Sequence, residues 1–302
     1  MTASLSLRVG ISGASGLIGT ALSTWLTDRG HTVVPLVRRA ARPGEIEWDP
    51  AAGRLDPADI ATLDAVVNLS GAGIGDQRWS DSYRQTILDS RTDTTALLAT
   101  TIRDLGTDGP DVFVSGSAIG IYGSRGDEVL TEESSEGDGF LADVCRAWEQ
   151  AALPASDAAR VSLIRTGIVL TPDGGALAKM LPLFKFGVGG RFGKGDQYMS
   201  WITLHDEVRA IEHALTADLE GPVNLTAPNP ATNREFTDAL GDALRRPTLL
   251  PVPAFGPRLL LGKQLADALL FDSARVEPAV LVADGFEFDH PELAPALAAI
   301  LA

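Results

Sequence analysis

Short hydrophobic runs alternate with segments of helical periodicity along the first half of the chain. The runs at residues 5–11, 32–37, 65–69, 112–115 and 161–164 predict β-strands. Apolar residues spaced at helical intervals over residues 79–105 predict a long helix between the third and fourth strands. Strands and helices in this order are typical of a doubly wound parallel sheet, so we predict an α/β fold.

The pattern becomes less regular after residue 170, where a cluster of turn residues follows. We predict one domain over residues 1–170 and a smaller capping lobe over 171–302, with residues 202–226 returning to the first domain as a helix and a strand. Residues 259–271 predict one amphipathic helix whose apolar side is core or an oligomer contact. The glycine-rich segment 187–195 is either a linker or, through Arg191, Phe192 and Lys194, part of an anion site.

The turn after the first strand has the spacing of a phosphate-binding loop. Gly13 would allow the tight turn, Gly16 would let the backbone approach a pyrophosphate, and Gly19 would let the helix pack closely on the strand. Free N–H groups at the start of the helix would bind the anion. The spacing, G-x-x-G-x-x-G, predicts a dinucleotide site in which Ser15, Leu17 and Ile18 also take part.

The second predicted strand ends in Arg38 and Arg39, where an NAD site would carry a carboxylate for the ribose 2′-hydroxyl. A guanidinium pair suits a 2′-phosphate instead, because arginine donates bidentate, charge-assisted hydrogen bonds. The alternative is a pair of solvated arginines at a strand end. We therefore predict NADP as the cofactor.

Composition excludes several classes of function. A net charge of −15 argues against nucleic-acid binding, and no apolar stretch is long enough to span a bilayer. The beginning of the chain resembles a strand rather than a signal peptide, so we expect a cytoplasmic protein. Cys145 is the single cysteine and the four histidines lack metal-ligand spacing, so we predict neither a disulfide nor a metal site.

Several motifs resemble those of extended short-chain dehydrogenases/reductases. Besides the glycine loop, these are Asn68-Leu69-Ser70-Gly71, Ser115-Gly116-Ser117-Ala118 and Tyr122-Gly123. Nearly the whole chain is similar to the SDR39U1-like group of nucleoside-diphosphate-sugar epimerase-like proteins, which have a C-terminal domain of unknown function. The matching segments include Ser90-Arg91, Arg165-Thr166-Gly167, Ser200-Trp201-Ile202 and Leu250-Pro251-Val252-Pro253.

The resemblance implies a Rossmann domain that binds NADP, with Ser70 and Gly71 near the nicotinamide and a substrate cleft beneath the C-terminal lobe. Active members use a Tyr-x-x-x-Lys pair, in which the lysine lowers the pKa of the tyrosine. No tyrosine in this chain has a lysine four residues later, and alignment of the helix places Leu141 and Cys145 at the two positions. Ser117 and Tyr122 are the remaining catalytic candidates.

A replacement tyrosine would need a nearby cation to exchange a proton at neutral pH. Tyr122 and Tyr198 are candidates, with Arg125 or Lys194 as the cation, although either ring can equally be structural. We predict an NADP-dependent oxidoreductase or nucleotide-sugar epimerase-like enzyme acting on a small molecule. The alternative is a noncatalytic NADP(H)-binding sensor or partner-binding protein.

Overall fold

A parallel sheet of eight strands forms the centre of the molecule. The computed structural model describes residues 6–248 and 251–302. Its strands are β1 (Arg8–Ser12), β2 (Thr32–Val37), β3 (Ile46–Asp49), β4 (Arg54–Leu55), β5 (Ala65–Asn68), β6 (Val112–Ala118), β7 (Val129–Leu130), β8 (Arg160–Thr166), β9 (Ile168–Leu170), β10 (Tyr198–Met199), β11 (Trp201–Thr203), β12 (Gly221–Leu225), β13 (Ala231–Thr232) and β14 (Arg275–Val276).

The large sheet has the order β12-β8-β6-β5-β1-β2-β3-β4, in which only the β3–β4 pair is antiparallel. The helices are α1 (Leu17–Asp28), α2 (Pro57–Ile60), α3 (Asp81–Leu105), α4 (Phe140–Ala152), α5 (Gly175–Lys185), α6 (Leu204–Thr216), α7 (Asn233–Leu244), α8 (Phe255–Leu261), α9 (Lys263–Ala266), α10 (Ala279–Ala283) and α11 (Leu293–Ile300). The predicted doubly wound α/β fold is confirmed.

Helices cover both faces of the sheet, as parallel sheets require. On one face, Leu22 of α1 and Ile211 of α6 belong to the same buried core as Val9 of β1. On the other face, Leu98 and Ile102 of α3 pack against neighbouring strands. All five predicted strands and the long helix are present, with Leu5 of the first predicted strand lying outside the described residues. The carboxyl ends of the parallel strands therefore meet at one open edge.

The second half of the chain contributes both to the sheet and to a separate core. Strand β12 pairs with β8 and forms the edge of the sheet. Helices α5, α7 and α11 instead enclose a second core around Trp201 and Phe236. Helix α7 begins with a capping box between Thr232 and Glu235, which satisfies two N–H groups at the helix start. The predicted division of the chain at residue 170 stays a prediction.

The single helix predicted over residues 259–271 is wrong. Gly262 adopts a φ of 87°, a left-handed conformation that ends α8. Helix α9 and a π-helical turn, Asp267–Phe271, follow it. The apolar residues run on through the break, so their pattern does not reveal it. Leu259 and Leu260 before the break are exposed, whereas Leu265 and Ala266 after it are buried. Leu250, in the motif before this segment, lies outside the described residues.

Candidate functional site

The connection from β1 into the first turn of α1 is shaped by two of its three glycines. A Cβ on Gly13 would lie 2.6 Å from the carbonyl oxygen of Leu69, and the φ of Gly13 is 70°. A Cβ on Gly19 would overlap the carbonyl oxygen of Gly13 and lie 2.8 Å from the Cα of Ala14. Gly16 is exposed, and in the described residues a Cβ placed on it would meet one atom beyond its chain neighbours, the carbonyl oxygen of Gly13 at 3.2 Å. The chain's own packing therefore requires glycine at 13 and 19 more than at 16.

Helix α1 begins without a side-chain cap at Gly16. Within the described ranges, the N–H groups of Leu17 and Ile18 have no hydrogen-bond acceptor. Unpaired N–H groups and the positive end of the helix dipole together form an anion site. Ser15 is exposed beside them. The geometry of the loop thus suits the pyrophosphate that the glycine spacing predicts there.

Arg38 and Arg39 follow β2 as expected, but they differ in environment. Arg39 donates two hydrogen bonds of 2.6 Å to the carboxylate of Glu45. These hydrogen bonds, together with one from the backbone of Arg42, lower the pKa of Glu45 to about 2. Arg38 is exposed and, in the described part of the chain, forms no ion pair. Arg38 is therefore the arginine whose donors are available to a phosphate.

Ser70 and Gly71 lie in the loop after β5, at the same sheet edge as the glycine loop. Asn68 fixes this loop, because its Oδ1 accepts hydrogen bonds from the hydroxyl of Ser12 at 2.5 Å and from the N–H of Ser70 at 3.3 Å. Its Nδ2 donates to Thr95 of α3 at 2.7 Å. The buried amide thus connects β1, β5 and α3 below the exposed Gly71.

A cavity of about 750 Å³ opens at this edge of the sheet. One wall includes Ile74, which follows β5, and Ala118 and Thr166, the last residues of β6 and β8. The α9 region covers it, with Leu265 and Leu269 in the lining. Its volume lies in the usual range for small-molecule sites, and ligands of open α/β sheets bind at this edge. The lining is mostly apolar, with a few charged side chains.

Ser117 and Tyr122 belong to one buried network beside the cavity, and neither contributes to its lining. The hydroxyl of Ser117 donates to Glu149 at 2.6 Å, and Glu149 accepts two hydrogen bonds from Arg165, at 2.8 and 2.9 Å. Arg165 also donates to the hydroxyl of Tyr122 at 2.9 Å, and this hydroxyl donates to Asn224 at 2.7 Å. The network joins α4, β6, β8 and β12.

Tyr122 is not activated by its neighbouring cation. Burial raises the pKa of Tyr122, and the charge of Arg165 offsets this only in part. Burial opposes the charge of Arg165, but the hydrogen bonds and charge of Glu149 leave the pKa of Arg165 raised. Arg125, proposed from the sequence as a partner, instead pairs with Glu128 at 2.7 Å. The catalytic assignment of Ser117 and Tyr122 stays a prediction, and the contacts give both side chains a structural role.

Comparison with known proteins places this geometry in a family. Residues 9–143 match the NAD dependent epimerase/dehydratase family, and residues 252–300 match a domain of unknown function, DUF1731. An epimerase family protein of Mycobacterium tuberculosis is 46% identical over 292 residues, which is 96% of each chain. The crystal structure of human epimerase family protein SDR39U1 with NADPH has a TM-score of 0.89 and 35% identity, over 97% of this chain and 99% of that one.

The chain belongs to the SDR39U1 epimerase family.

A nucleoside-diphosphate sugar epimerase from Corynebacterium glutamicum is also similar, with 37% identity and a TM-score of 0.79, over 98% of this chain and 58% of that one. The NADPH in the human structure agrees with the cofactor predicted from Arg38 and Arg39. In the described residues, no helix is both long and apolar enough to cross a membrane.

The two positions at which dehydrogenases/reductases carry tyrosine and lysine face the cavity in this member of the SDR39U1 family. Both Leu141 and Cys145 contribute to the lining. Burial, followed by the charge of Glu149, raises the pKa of the Cys145 thiol to about 12. A thiol with this pKa is neutral at physiological pH and is a poor nucleophile. Neither residue can perform the proton transfer of the missing pair.

Tyr198 is the one tyrosine in the lining of the cavity. Among the described residues its hydroxyl has no hydrogen-bond partner, and the guanidinium carbon of Arg275 lies 5.3 Å from the centre of its ring. Tyr198 lies on β10, which pairs with β13 beneath α7. The structure therefore separates the two tyrosine candidates, because Tyr198 reaches the cavity and Tyr122 does not.

The two interpretations of the glycine-rich segment 187–195, a linker or part of an anion site, both stay predictions. Phe192 lines the cavity, while the backbone of this segment bonds to residues near Val252. Gly193 donates to the carbonyl of Val252 at 3.2 Å, and Val252 donates to the carbonyl of Arg191 at 2.8 Å. The segment is thus attached to the C-terminal region. Arg191 and Lys194 do not appear in the cavity lining.

One cluster of His205, Asp206 and Asp289 has the spacing of a metal site. Its groups already have partners, since His205 bonds to Asp289 at 2.7 Å and Arg209 donates to Asp206 at 2.7 Å. The buried Asp206 also accepts hydrogen bonds from the N–H groups of Asp289 and His290. A cationic arginine in contact with the carboxylates disfavours a metal ion there.

Arg91 lines the cavity but was not among the site residues predicted from the sequence. It is buried on α3. The signal was present in the sequence, since Arg91 lies at helical spacing between Ile87, Thr95 and Leu98, all of which are buried. An arginine on the buried face of a helix needs a partner, which is a reason to suspect a site.

Proposed function

We propose that this chain binds NADP(H) against the Gly13–Gly19 loop and carries out an oxidoreductase or epimerase-like reaction on a small molecule of the nucleotide-sugar class. The observation that carries the proposal is the cavity of about 750 Å³ at the edge of the sheet where the glycine loop also lies. A dinucleotide on the loop would extend along this edge toward the residues after β5 and β6.

The residues present fit the cofactor. The free N–H groups of Leu17 and Ile18 would hold the pyrophosphate, and Arg38 would donate to the 2′-phosphate. NADP(H) would supply the hydride, while the protein would bind and orient the two reactants and exclude water. Tyr198 is the side chain that we propose for proton transfer, because it lines the cavity and its hydroxyl has no partner in the described residues.

Calorimetric titration with NADPH and NADH tests the cofactor. We expect NADPH to bind more tightly, and Arg38→Ala to weaken NADPH binding about tenfold or more while leaving NADH binding nearly unchanged, since charge-assisted hydrogen bonds contribute about 1.5–3 kcal/mol. Arg39→Ala is the matched control, because Glu45 already occupies its guanidinium. Equal losses for both nucleotides would contradict the assignment of the 2′-phosphate.

A noncatalytic NADP(H)-binding protein is the second candidate. The observation that favours it is the presence of Leu141 and Cys145 in the cavity wall, at the positions of the missing proton-transfer pair. Such a protein would report cofactor state or bind a partner through its C-terminal lobe.

NADPH oxidation in the presence of carbonyl compounds, quinones and nucleotide sugars separates the two candidates. An enzyme should consume NADPH or exchange hydride with at least one compound, and Tyr198→Phe should lower the rate without lowering NADPH affinity. Tight NADPH binding with no turnover across the panel would favour the binding protein.

A further inference from the structure

Arg91 carries a charge that the protein itself leaves unneutralised. The residue is 8% exposed, and across the described residues its guanidinium forms no ion pair with a carboxylate. Its Nη1 donates to the carbonyl oxygens of Ala72 and Ile87, each at 3.0 Å. Its Nη2 and Nε have no acceptor in the same residues. A buried cation held only by carbonyl groups is costly, and an anion in contact with it would offset this cost.

The guanidinium is also held in one orientation. Its central carbon lies 5.0 Å from the centre of the Trp148 ring, and a Cβ on Gly71 would lie 3.0 Å from the same carbon. The ring and the loop after β5 thus restrict the guanidinium of Arg91, which is one of the residues that line the cavity. An arginine fixed in this way can bind a planar or tetrahedral oxyanion through two hydrogen bonds with little loss of entropy.

Arg91 adjoins the position of the missing lysine. Its charge acts on the pKa of the Cys145 thiol, and Cys145 occupies the lysine position of the absent pair. Arg91 of α3 thus places a positive charge near Cys145, the α4 residue at the lysine position. Two further cations line the cavity: Arg84 lies over the ring of Phe140 at 4.3 Å, and Lys179 bonds to the carbonyl of Gly75 at 3.3 Å.

We propose that Arg91 anchors an anionic group, a phosphate or a carboxylate, of the ligand that fills this cavity. The inference rests on the proposed function for the identity of the cavity as the substrate site. It adds to the proposed function the residue that would recognise an oxyanion of the substrate. Arg91 donates to the loop after β5, in which Ser70 and Gly71 are predicted to lie near the nicotinamide. The cofactor is therefore a second source of an anion, and the experiment separates it from the substrate.

The test compares anionic probes with their uncharged counterparts, by calorimetric titration at constant ionic strength. UDP against uridine examines a phosphate, and glucuronate against glucose examines a carboxylate. Each titration uses the wild-type protein, Arg91→Gln, Arg91→Lys and the matched control Arg103→Gln. Arg103 lies on the same helix, is exposed and pairs with Asp104, so its loss should not affect the cavity.

We expect at least one anionic probe to bind the wild-type protein and Arg103→Gln more tightly than its uncharged counterpart. Arg91→Gln should lower the affinity for that probe about tenfold or more, and Arg91→Lys should lower it less, because the charge is kept while the bidentate geometry is lost. Affinity for the uncharged probe should not change. If Arg91→Gln does not fold, the lysine variant and the anion preference of the wild-type protein still decide the question.

Two results would overturn the inference. One is the absence of any anion preference in the wild-type protein. The other is a loss of NADPH affinity in Arg91→Gln as large as the loss of probe affinity, which would assign the anion to the cofactor. All titrations are made with and without NADPH, so that failure of the proposed function, seen as no NADPH binding, is distinguishable from failure of this inference.

Discussion

The glycine loop offers a prediction that separates cofactor binding from folding. Gly16→Ala and Gly19→Ala add the same methyl group three residues apart, at the N-cap and in the first turn of α1. At Gly16 the methyl group would meet one protein atom, the carbonyl oxygen of Gly13 at 3.2 Å, whereas at Gly19 it would overlap that oxygen. We expect the first variant to lose NADPH affinity and the second to lose stability.

The expected change in the free energy of unfolding for Gly16→Ala follows from the backbone conformation of Gly16. Its φ of −77° and ψ of 175° are accessible to alanine. Glycine is a better helix N-cap than alanine, by about 1 kcal/mol, but alanine lowers the entropy of the unfolded chain, which returns about 0.4–1 kcal/mol. The free energy of unfolding should therefore change by less than about 1 kcal/mol. The exposed methyl group would project toward the pyrophosphate, and NADPH affinity should fall at least about tenfold, or ~1.4 kcal/mol.

At Gly19 the added Cβ would also lie 2.8 Å from the Cα of Ala14. Both obstructing groups belong to the backbone, so helix α1 must move away from the loop. Overpacking of this kind costs about 1–3 kcal/mol, and the rigid neighbours favour the upper end of that range. NADPH affinity should fall as a consequence of the displaced loop.

Urea unfolding without cofactor and calorimetric titration with NADPH measure the two effects. Gly256→Ala is the control, because Gly256 lies inside α8 and, among the described residues, no atom beyond its chain neighbours and its own helix backbone lies within 4 Å of its Cβ position. It should leave NADPH affinity unchanged and leave stability equal or slightly higher. Wild-type NADPH affinity in Gly16→Ala would refute the placement of the pyrophosphate. Unchanged stability in Gly19→Ala would refute the close contact between helix and loop.

Three further predictions concern buried groups. Tyr122→Phe should lower the free energy of unfolding by about 1–3 kcal/mol, because Asn224 and Arg165 each lose a hydrogen-bond partner. NADPH affinity should be retained. A lost reaction rate with unchanged stability would instead make Tyr122 a proton-transfer residue. Burial raises the pKa of Glu207 from 4.5 to about 8, so the free energy of unfolding should fall as pH rises from 4.5 through 8. Glu207→Gln should remove this fall, as measured by urea unfolding at a series of pH values. Cys145 should resist iodoacetamide in the folded protein at pH 8, since its thiol stays protonated; rapid alkylation would contradict its environment.

The order of elements could be predicted because each strand of the central sheet is short, apolar and bounded by turn residues. Strands buried on both faces have no polar side to obscure the pattern, as in β5, where all four residues are buried. The β3–β4 hairpin was not predicted. Its alternation is brief, with Ile46 and Trp48 buried and Glu47 exposed, and a two-residue partner strand has almost no pattern of its own.

The cofactor loop could be predicted for a different reason. The residues that shape it are contiguous, and a local turn places them without help from distant parts of the chain. The sequence gives Arg38 and Arg39 equal weight, whereas the structure distinguishes them through Glu45, a residue brought near by the turn before β3. The difference depends on a contact six residues away and not on the arginines themselves.

The catalytic candidates show the limit of motif reasoning more clearly. Ser117 and Ala118 are neighbours on β6, and adjacent strand residues point to opposite sides. Ser117 points to Glu149, while Ala118, which has no hydroxyl, lines the cavity. The hydroxyl of Ser117 is therefore placed in the ion-pair network and not in the cavity wall.

The paired strands β6 and β8 connect the network to the cavity. Arg165 and Thr166 are successive residues of β8, paired with Ser117 and Ala118 of β6. One pair is buried with Glu149, and the other pair faces the cavity. The buried ion pair thus fixes the two strands whose next residues form the cavity wall. A substitution in the network would therefore alter the cavity wall even where the substituted residue touches no ligand. Stability and NADPH affinity must be measured together with the reaction rate before Ser117 or Tyr122 is assigned a catalytic role.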